Sequence, residues 1–577
     1  MSPAGDFPPA TLREYALIAD GERGALCGPH GDLVWMCAPR WHDDAVFAKL
    51  IGGEGVYAVT PRDRYVWGGH YEHGLIWRNR WVTDTGSIIE CRDALALPAD
   101  PHRLIVLRRI EAQQGVARMR VVLDARTHFG GEGMRVHSNG ADGAWTASTG
   151  PLRLRWTGGR QARIDQAERL CLDLTLDGGT HHDFVLEISD QALGPSIDPN
   201  RAWEATHDTW HSAIPKLDSS IAPRDARHAY AILHGLTSRD HGMVAAATMS
   251  LPERAGTSTN YDYRYAWIRD QCFAGLAVAA DGGHPLIGDA VTFVTARLLA
   301  DAERLTPAYL VSGGPVPEEV RLDLAGYPGG ADIRGNHVGS QFQLDAFGES
   351  LSLLAAAARR DMLDSDGWAA TRVAAQVIEQ HWDKPDAGIW ELDDQWWAHS
   401  RLSCVAGLHQ AAAVRPRPDA ERFNELADVI YRETVRRCGR RGYWQRTETD
   451  HRVDAALLLP ALRDVKADVE PLTAGTLDEV RGTLVDDGYV YRYAPIREPL
   501  GESEGAFLLC GFALALAEAQ LRNPVEAFRW FERNRAACGP AGLLAEEYDV
   551  EQRQLRGNLP QAFVHAMLLE AAVRLAE

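Results

Sequence analysis

The feature that most constrains this 577-residue chain is a change of hydrophobic period near residue 215. Before it, apolar residues recur in short alternating runs. Examples are Leu104-Ile105-Val106-Leu107, Met119-Arg120-Val121-Val122-Leu123, Leu152-Arg153-Leu154-Arg155-Trp156 and Phe184-Val185-Leu186-Glu187-Ile188. Turn-forming clusters such as Gly130-Gly131-Glu132-Gly133 and residues 139–143 separate them. Period-two patterning broken by turn residues predicts a many-stranded β-sandwich over residues 1–202. Trp203 to Ile214 predicts a helix inside a linker of residues 203–218, closed by Pro215. From 219 to 577 the period is helical, with start signals at Asp364-Ser365-Asp366, Pro418-Asp419 and Asn523-Pro524.

Helices are expected near 219–238, 268–281, 285–302, 341–360, 364–381, 397–413, 418–437, 451–462, 471–484, 502–521, 524–537 and 559–576. Twelve helices joined alternately by short and long links predict an (α/α)6 barrel of six helical hairpins. The expected fold is thus multidomain β + α, a β-sandwich followed by an (α/α)6 barrel. The long connections, 239–267, 303–340, 382–396, 485–501 and 538–558, fall on every second link. They should gather at one end of the barrel, and structureless loops of this length in a compact domain are usually functional.

Composition narrows the partners. A net charge of −20 argues against nucleic acid and anionic membranes. No apolar run approaches the roughly 20 residues that span a bilayer, and the N-terminal stretch lacks the pattern of a secretory signal. Nine Cys without CxxC or Cys/His spacing read as reduced thiols, mostly buried, of a cytoplasmic protein. The 17 Trp serve core packing or the stacking of sugar rings. The expected partner is a small carbohydrate, with no metal and no organic cofactor; self-association stays open.

Three of the long connections carry candidate chemistry. The first holds Tyr261-Asp262-Tyr263-Arg264-Tyr265-Ala266-Trp267-Ile268-Arg269-Asp270, a run suited to stacking sugar rings and gripping vicinal hydroxyls, or to capping the next helix. The third holds Gly388-Ile389-Trp390-Glu391, with Trp396 and Trp397 close behind. An aromatic wall disfavours a charged carboxyl and so suits a general acid; the plainer reading is a Glu near a helix start. The last holds Leu543-Leu544-Ala545-Glu546-Glu547-Tyr548-Asp549. Adjacent Glu residues point in different directions, so at most one faces a cavity shared with Glu391. Glycosidic cleavage needs such a pair, an acid for the leaving oxygen and a partner carboxylate. Asp345 and Glu349, four apart after the glycine-rich second connection, share a helix face as lining or as site.

Taken in order, these segments resemble glycoside hydrolase family 15, the glucoamylase-like enzymes, in the bacterial branch with a trehalase-like N-terminal domain. The resemblance rests on Tyr15–Gly21 and Asp43–Leu50 in the sandwich. In the helical part it rests on Tyr261–Asp270, Gln343–Glu349, Gly388–Glu391, Glu504–Cys510 and Leu543–Asp549. It implies an exo-acting hydrolase that cleaves α-glucosidic bonds with inversion and releases β-glucose, with Glu391 as general acid and Glu546 as general base. It further implies that Arg269 and Asp270 hold the terminal glucose together with Arg492, and that Tyr261, Trp267, Trp390 and Glu504 line the site. Glu504 is the second candidate for the base.

The chain departs from the family's pattern after the acid, where Leu392 to Trp397 stand. The two bulky Trp there point to a shortened site for a disaccharide or short oligosaccharide. The close alternative to a glucoamylase-type enzyme is an α,α-trehalase with the same carboxyl pair. A sugar-binding protein without turnover would not need both carboxyls, and a phosphorylase would need a basic pocket in place of Glu546.

Overall fold

The computed structural model describes residues 7–140, 143–254, 260–463, 471–502 and 504–577. Ala141 and Asp142, part of one expected turn, lie outside them. The N-terminal part folds into two eight-stranded sheets. One runs in the order Ala16–Ala19, Gly24–Cys27, Asp32–Cys37, Val56–Pro61, Ala117–Asp124, Leu170–Leu176, Arg163–Ile164, with Ala45–Phe47 paired to Asp32–Cys37. The other runs Arg135–Asn139, Trp145–Thr149, Leu152–Thr157, His181–Ser189, Arg103–Gln114, Ile88–Leu95, Ile76–Thr83, Tyr65–His73. All these pairings are antiparallel. The alternation of apolar and polar residues packs the two sheets face to face. Arg108, fully buried on one sheet, pairs with Asp93 at 2.7 Å and donates to the Tyr57 and Gly31 carbonyls of the other.

Among the described residues thirteen helices follow. Helix α1 (Pro199–Ala213) starts four residues before the expected Trp203, because Asp198 caps it by accepting from the Asn200 and Arg201 N–H groups. The other twelve are α2 (Pro223–Leu236), α3 (Ile268–Asp281), α4 (Pro285–Asp301), α5 (Asp345–Ala358), α6 (Ser365–His381), α7 (Ala398–Ala412), α8 (Arg417–Cys438), α9 (Leu459–Arg463), α10 (Pro471–Thr483), α11 (Leu508–Gln520), α12 (Pro524–Arg535) and α13 (Ala562–Arg574). Helices α3, α5, α7, α9, α11 and α13 touch in sequence, and α13 closes the ring on α3. Most of these inner helices are buried on nearly every face, as a helix enclosed by others must be. The outer α6, α8 and α12 bury one face each.

Glycine allows one close approach in the ring. A Cβ on Gly407 of α7 would stand 2.2 Å from the Gly348 carbonyl oxygen of α5, so the two backbones meet only without side chains. Two elements differ from expectation. Residues 451–462 give only a 3-10 turn, Ala455–Leu458, and the five-residue α9. Helix α11 starts at Leu508, because Ala506–Phe507 pair as a strand with Glu547–Tyr548. The link from α8 to α9, which the expected long connections did not include, is a sixth long connection on the functional end.

The sandwich docks beneath the first connection. Trp35 Nε1 donates to the Ala247 carbonyl at 2.8 Å. Arg264 is fully buried, grips Asp262 through two nitrogens, and reaches the Trp41 and Asp43 carbonyls of the sandwich at 3.2 and 2.8 Å.

Candidate active site

The connections converge on a cavity of about 230 Å³ at the end of the barrel. Glu391 and Glu546 both line it, as do Tyr261, Trp267, Arg269, Asp270, Trp390 and Arg492. Of the residues expected at the site, only Glu504 stands back from the lining. Its carboxylate is taken by Arg492, at 3.0 Å from Nε and 2.5 Å from a terminal nitrogen, so it serves as that arginine's counter-ion rather than as a free base.

Glu391 is held on a tight turn. Its backbone φ of 56° is left-handed, a strained state for a residue with a side chain, and such strain collects at functional sites. Asp386 anchors the turn from below: it accepts from the Gly388 N–H at 3.2 Å and from Ser400 Oγ at 2.8 Å, and it pairs with the buried Arg401. The aromatic ring that touches Glu391 is not its neighbour Trp390. Trp267 Nε1 donates to Glu391 Oε1 at 2.7 Å, and an Arg269 nitrogen lies 3.7 Å away. Trp390 sends its own N–H to Asp454 and meets Phe507 edge-on at 5.3 Å.

Trp396 and Trp397 do not line the cavity. Trp396 is buried between Arg401 and Arg437, whose guanidinium carbons lie 4.6 and 4.8 Å from its ring centre. Trp397 packs under Arg446 at 5.2 Å. The shortening of the site ascribed to these two rings is therefore not their doing. Their bulk goes into the barrel wall, and Leu392 alone of that segment reaches the cavity.

Across the cavity, only one of the adjacent carboxyls faces in. Glu547 accepts the Gly505 N–H at 2.8 Å, while Glu546 Oε2 lies 3.1 Å from the Tyr263 hydroxyl. Burial pushes the Glu546 carboxyl up to about 7, opposed by Arg492, the Tyr263 hydrogen bond and Arg269. Arg269 and Asp270 open α3 at the cavity floor. Burial lifts Asp270 to about 6 against the pull of Arg269. Both Asp270 oxygens are buried without a hydrogen-bond partner, as is Gln561 Oε1 at the start of α13. Buried polar atoms need partners, and ligand hydroxyls can supply them. Asp345 and Glu349 lie deeper in the ring, off the cavity lining, each pushed to about 7 mainly by burial.

Four polar side chains of the lining have no role in the sequence reading, Gln561 among them. Glu253, His337 and Tyr493 all line the cavity. Glu253 sits in the same connection as the Tyr261–Asp270 run, which is the one sequence signal that pointed to it. A larger cavity, about 470 Å³, lies where the sandwich meets α2 and α12. Of its acidic groups, Asp225 and Glu532 share Arg535 and Glu72 pairs with Arg78 and Arg92, so each carboxyl there is already ion-paired. Among the described residues no group of three or more His, Cys, Asp or Glu could hold a metal ion. No described helix is long and apolar enough to cross a membrane.

A sandwich leading into a ring of paired helices, with two carboxyls on one cavity beside an arginine–aspartate pair, defines a glycoside-cleaving class of enzyme. The profile of glycosyl hydrolases family 15 matches residues 237–573, and that of the trehalase-like N-terminal domain matches residues 5–187. The chain belongs to glycosyl hydrolase family 15. Curated relatives include the trehalase of Mycobacterium tuberculosis, 28% identical over 98% of this chain and 89% of its own length. Another is trehalase 1 of Sulfolobus acidocaldarius, 28% identical over 97% of this chain and 98% of its own length. Among solved structures, a bacterial glucoamylase complexed with acarbose superposes with a TM-score of 0.73 at 14% identity. That match covers 100% of this chain and 96% of the other, a likeness of fold.

Proposed function

We propose that this protein is an inverting α-glucoside hydrolase whose substrate is α,α-trehalose, with Glu391 as general acid and Glu546 as general base. The observation that carries the reading is that these two carboxyls face one cavity whose floor holds Asp270, ion-paired with Arg269 at 3.5 Å but with neither oxygen in a hydrogen bond. A terminal glucose placed there would satisfy Asp270 and Gln561 through its hydroxyls, while Arg269 and Arg492 hold the ring. Glu391 in its acid form gives its proton to the glycosidic oxygen, and the departing sugar leaves as an alcohol. Glu546, ionised, takes a proton from a water on the opposite face, and that water's oxygen bonds to the anomeric carbon with inversion. Tyr261 and Trp267 offer flat faces to the sugar.

Trehalose is favoured by the curated trehalases that match along nearly the whole chain. The cavity's 230 Å³, below the roughly 300–1,000 Å³ of typical ligand sites, suits one or two sugar rings and so a disaccharide rather than a long glucan. We take the sandwich as residues 1–202, the linker as 203–218 and the barrel as 219–577, with the sandwich bracing the site.

The test is glucose release from trehalose, maltose, isomaltose and soluble starch in parallel, with the anomer of the first product read by NMR. Trehalose turnover yielding one β- and one α-glucose per bond is expected, and Glu391→Gln should lower it by about 10²–10⁴-fold. Turnover of maltose or starch without trehalose would move the assignment to a glucoamylase-type enzyme. Full activity in Glu391→Gln would remove the acid.

A further inference from the structure

Glu253 has no part in the mechanism above, yet it is buried on the cavity wall beside the base. The Tyr263 hydroxyl lies 3.1 Å from Glu546 Oε2 and 3.4 Å from Glu253 Oε1, so two carboxyls bracket one phenol. The local charge is crowded further. Glu504 and Glu547 stand on the neighbouring connections, and Arg492 is a cation they share. Its guanidinium is already engaged by Glu504 and lies 4.0 Å from Glu547. Arg269 also acts on Glu546 but is shared with Asp270 and Glu391, so the four carboxylates outnumber their cations in a buried site and the cluster keeps protons. Glu504 is ion-paired with Arg492. The question is which of the others holds a proton at working pH.

We propose that Glu253 is a positioning residue: it stays the neutral acid and hydrogen-bonds through Tyr263 onto Glu546 Oε2, leaving Glu546 as the ionised base. In this chain the Glu253 O–H donates to the Tyr263 oxygen, and the Tyr263 O–H, thereby oriented, donates to the Glu546 carboxylate. An ionised Glu253 would instead compete for the phenol's single proton. Burial and the charge of Glu546 both push Glu253 well above the ordinary carboxyl range, in keeping with this geometry. Burial also raises Glu547, which accepts a backbone N–H and does not face the cavity. The Tyr261 ring stacks on Tyr263 at 6.1 Å and 5°, which fixes the plane of the phenol. The titratable and charged groups that act on Glu253 are Glu546, Arg492, Glu504 and Tyr263, with Glu547 and Tyr261 feeling its charge in turn. The inference rests on Glu546 being the base.

The experiment compares Glu253→Gln and Glu253→Ala with wild type on trehalose across pH, and reads the protonated-carboxyl C=O band by difference infrared spectroscopy. Glutamine mimics the neutral acid and can donate to Tyr263. It should keep kcat within about 3-fold and leave the acid limb of kcat/KM in place, while one protonated-carboxyl band disappears. Alanine cuts the chain and should lower kcat by about 5–10-fold with KM little changed, the size of one lost hydrogen bond between neutral groups. An acid limb that moves to lower pH by a full unit in Glu253→Gln would mean Glu253 was charged, and would overturn the proposal. So would an unchanged infrared band, or full activity in Glu253→Ala. The band is read without turnover, and Glu546→Gln is the control: if that variant keeps activity, the base assignment has failed instead.

Discussion

Removing the Tyr263 hydroxyl is the sharpest probe of the base. Tyr263→Phe keeps the ring and its edge-to-face packing on Trp267 at 5.5 Å, and deletes only the donor 3.1 Å from Glu546. A hydrogen bond to a charged group contributes about 1.5–3 kcal/mol. Only the part that favours the anion over the acid changes the titration. Taking that part as about 1.4 kcal/mol gives a shift of one pH unit. The sign follows from the roles: the Tyr263 bond holds Glu546 down, burial holds it up at about 7, and the base works only when ionised. Deleting the bond therefore moves the acid limb of kcat/KM upward. Near pH 7 the ionised fraction falls from about half to about one-tenth, a roughly 5-fold loss that shrinks at higher pH. Initial rates of glucose release on trehalose between about pH 5 and 9 measure this. A limb that stays in place or moves to lower pH would refute the reasoning.

Three further outcomes are expected. Arg401→Met should leave Asp386 as a buried unpaired carboxyl under the Glu391 turn; about 3–5 kcal/mol of stability is lost, and activity falls with it. A urea midpoint within error of wild type would count against that. Glu349, pushed from 4.5 to about 7 chiefly by burial, binds its proton more tightly folded than unfolded, so its contribution to stability declines as pH rises from about 4.5 to 7. Glu349→Gln should remove that decline and stabilise the protein at pH 7 and above by about 2–3 kcal/mol, read from paired urea curves at low and neutral pH. Asp270→Asn keeps the shape of the floor and loses the charged acceptor, so trehalose kcat/KM should drop by about 10-fold or more with thermal stability retained or raised. An unchanged kcat/KM would take Asp270 out of the sugar site.

Much of this architecture was legible before any coordinates, for a physical reason. Helices α3, α4 and α6 match expectation within a residue or so because long amphipathic or wholly apolar runs leave the chain few alternatives. The clustering of connections at one end follows from their alternation, which is how Glu391 and Glu546 could be brought to one cavity on paper. What resisted reading was pairing across distance. Trp396 looks like a sugar platform in its own segment, and only Arg437 on α8, arriving from another part of the chain, shows that it is a packing residue. Glu253 follows a Leu-Pro pair with no periodicity around it, and its meaning depends on a phenol shared with a carboxylate 283 positions from that phenol. The sixth connection hid behind a helix expected from 451, where the Asp454-capped turn Ala455–Leu458 and α9 from Leu459 begin only later.

Arg264 carries a consequence for how the molecule is made. Its guanidinium, enclosed beneath Tyr263, depends on carbonyls of Trp41 and Asp43 that leave the ribosome more than two hundred residues earlier. Because domains tend to fold in order of synthesis, the sandwich can be standing when the first barrel connection emerges and serve as the surface on which that connection sets. The catalytic end would then be cast against a finished template, before the twelve-helix ring that surrounds it has closed.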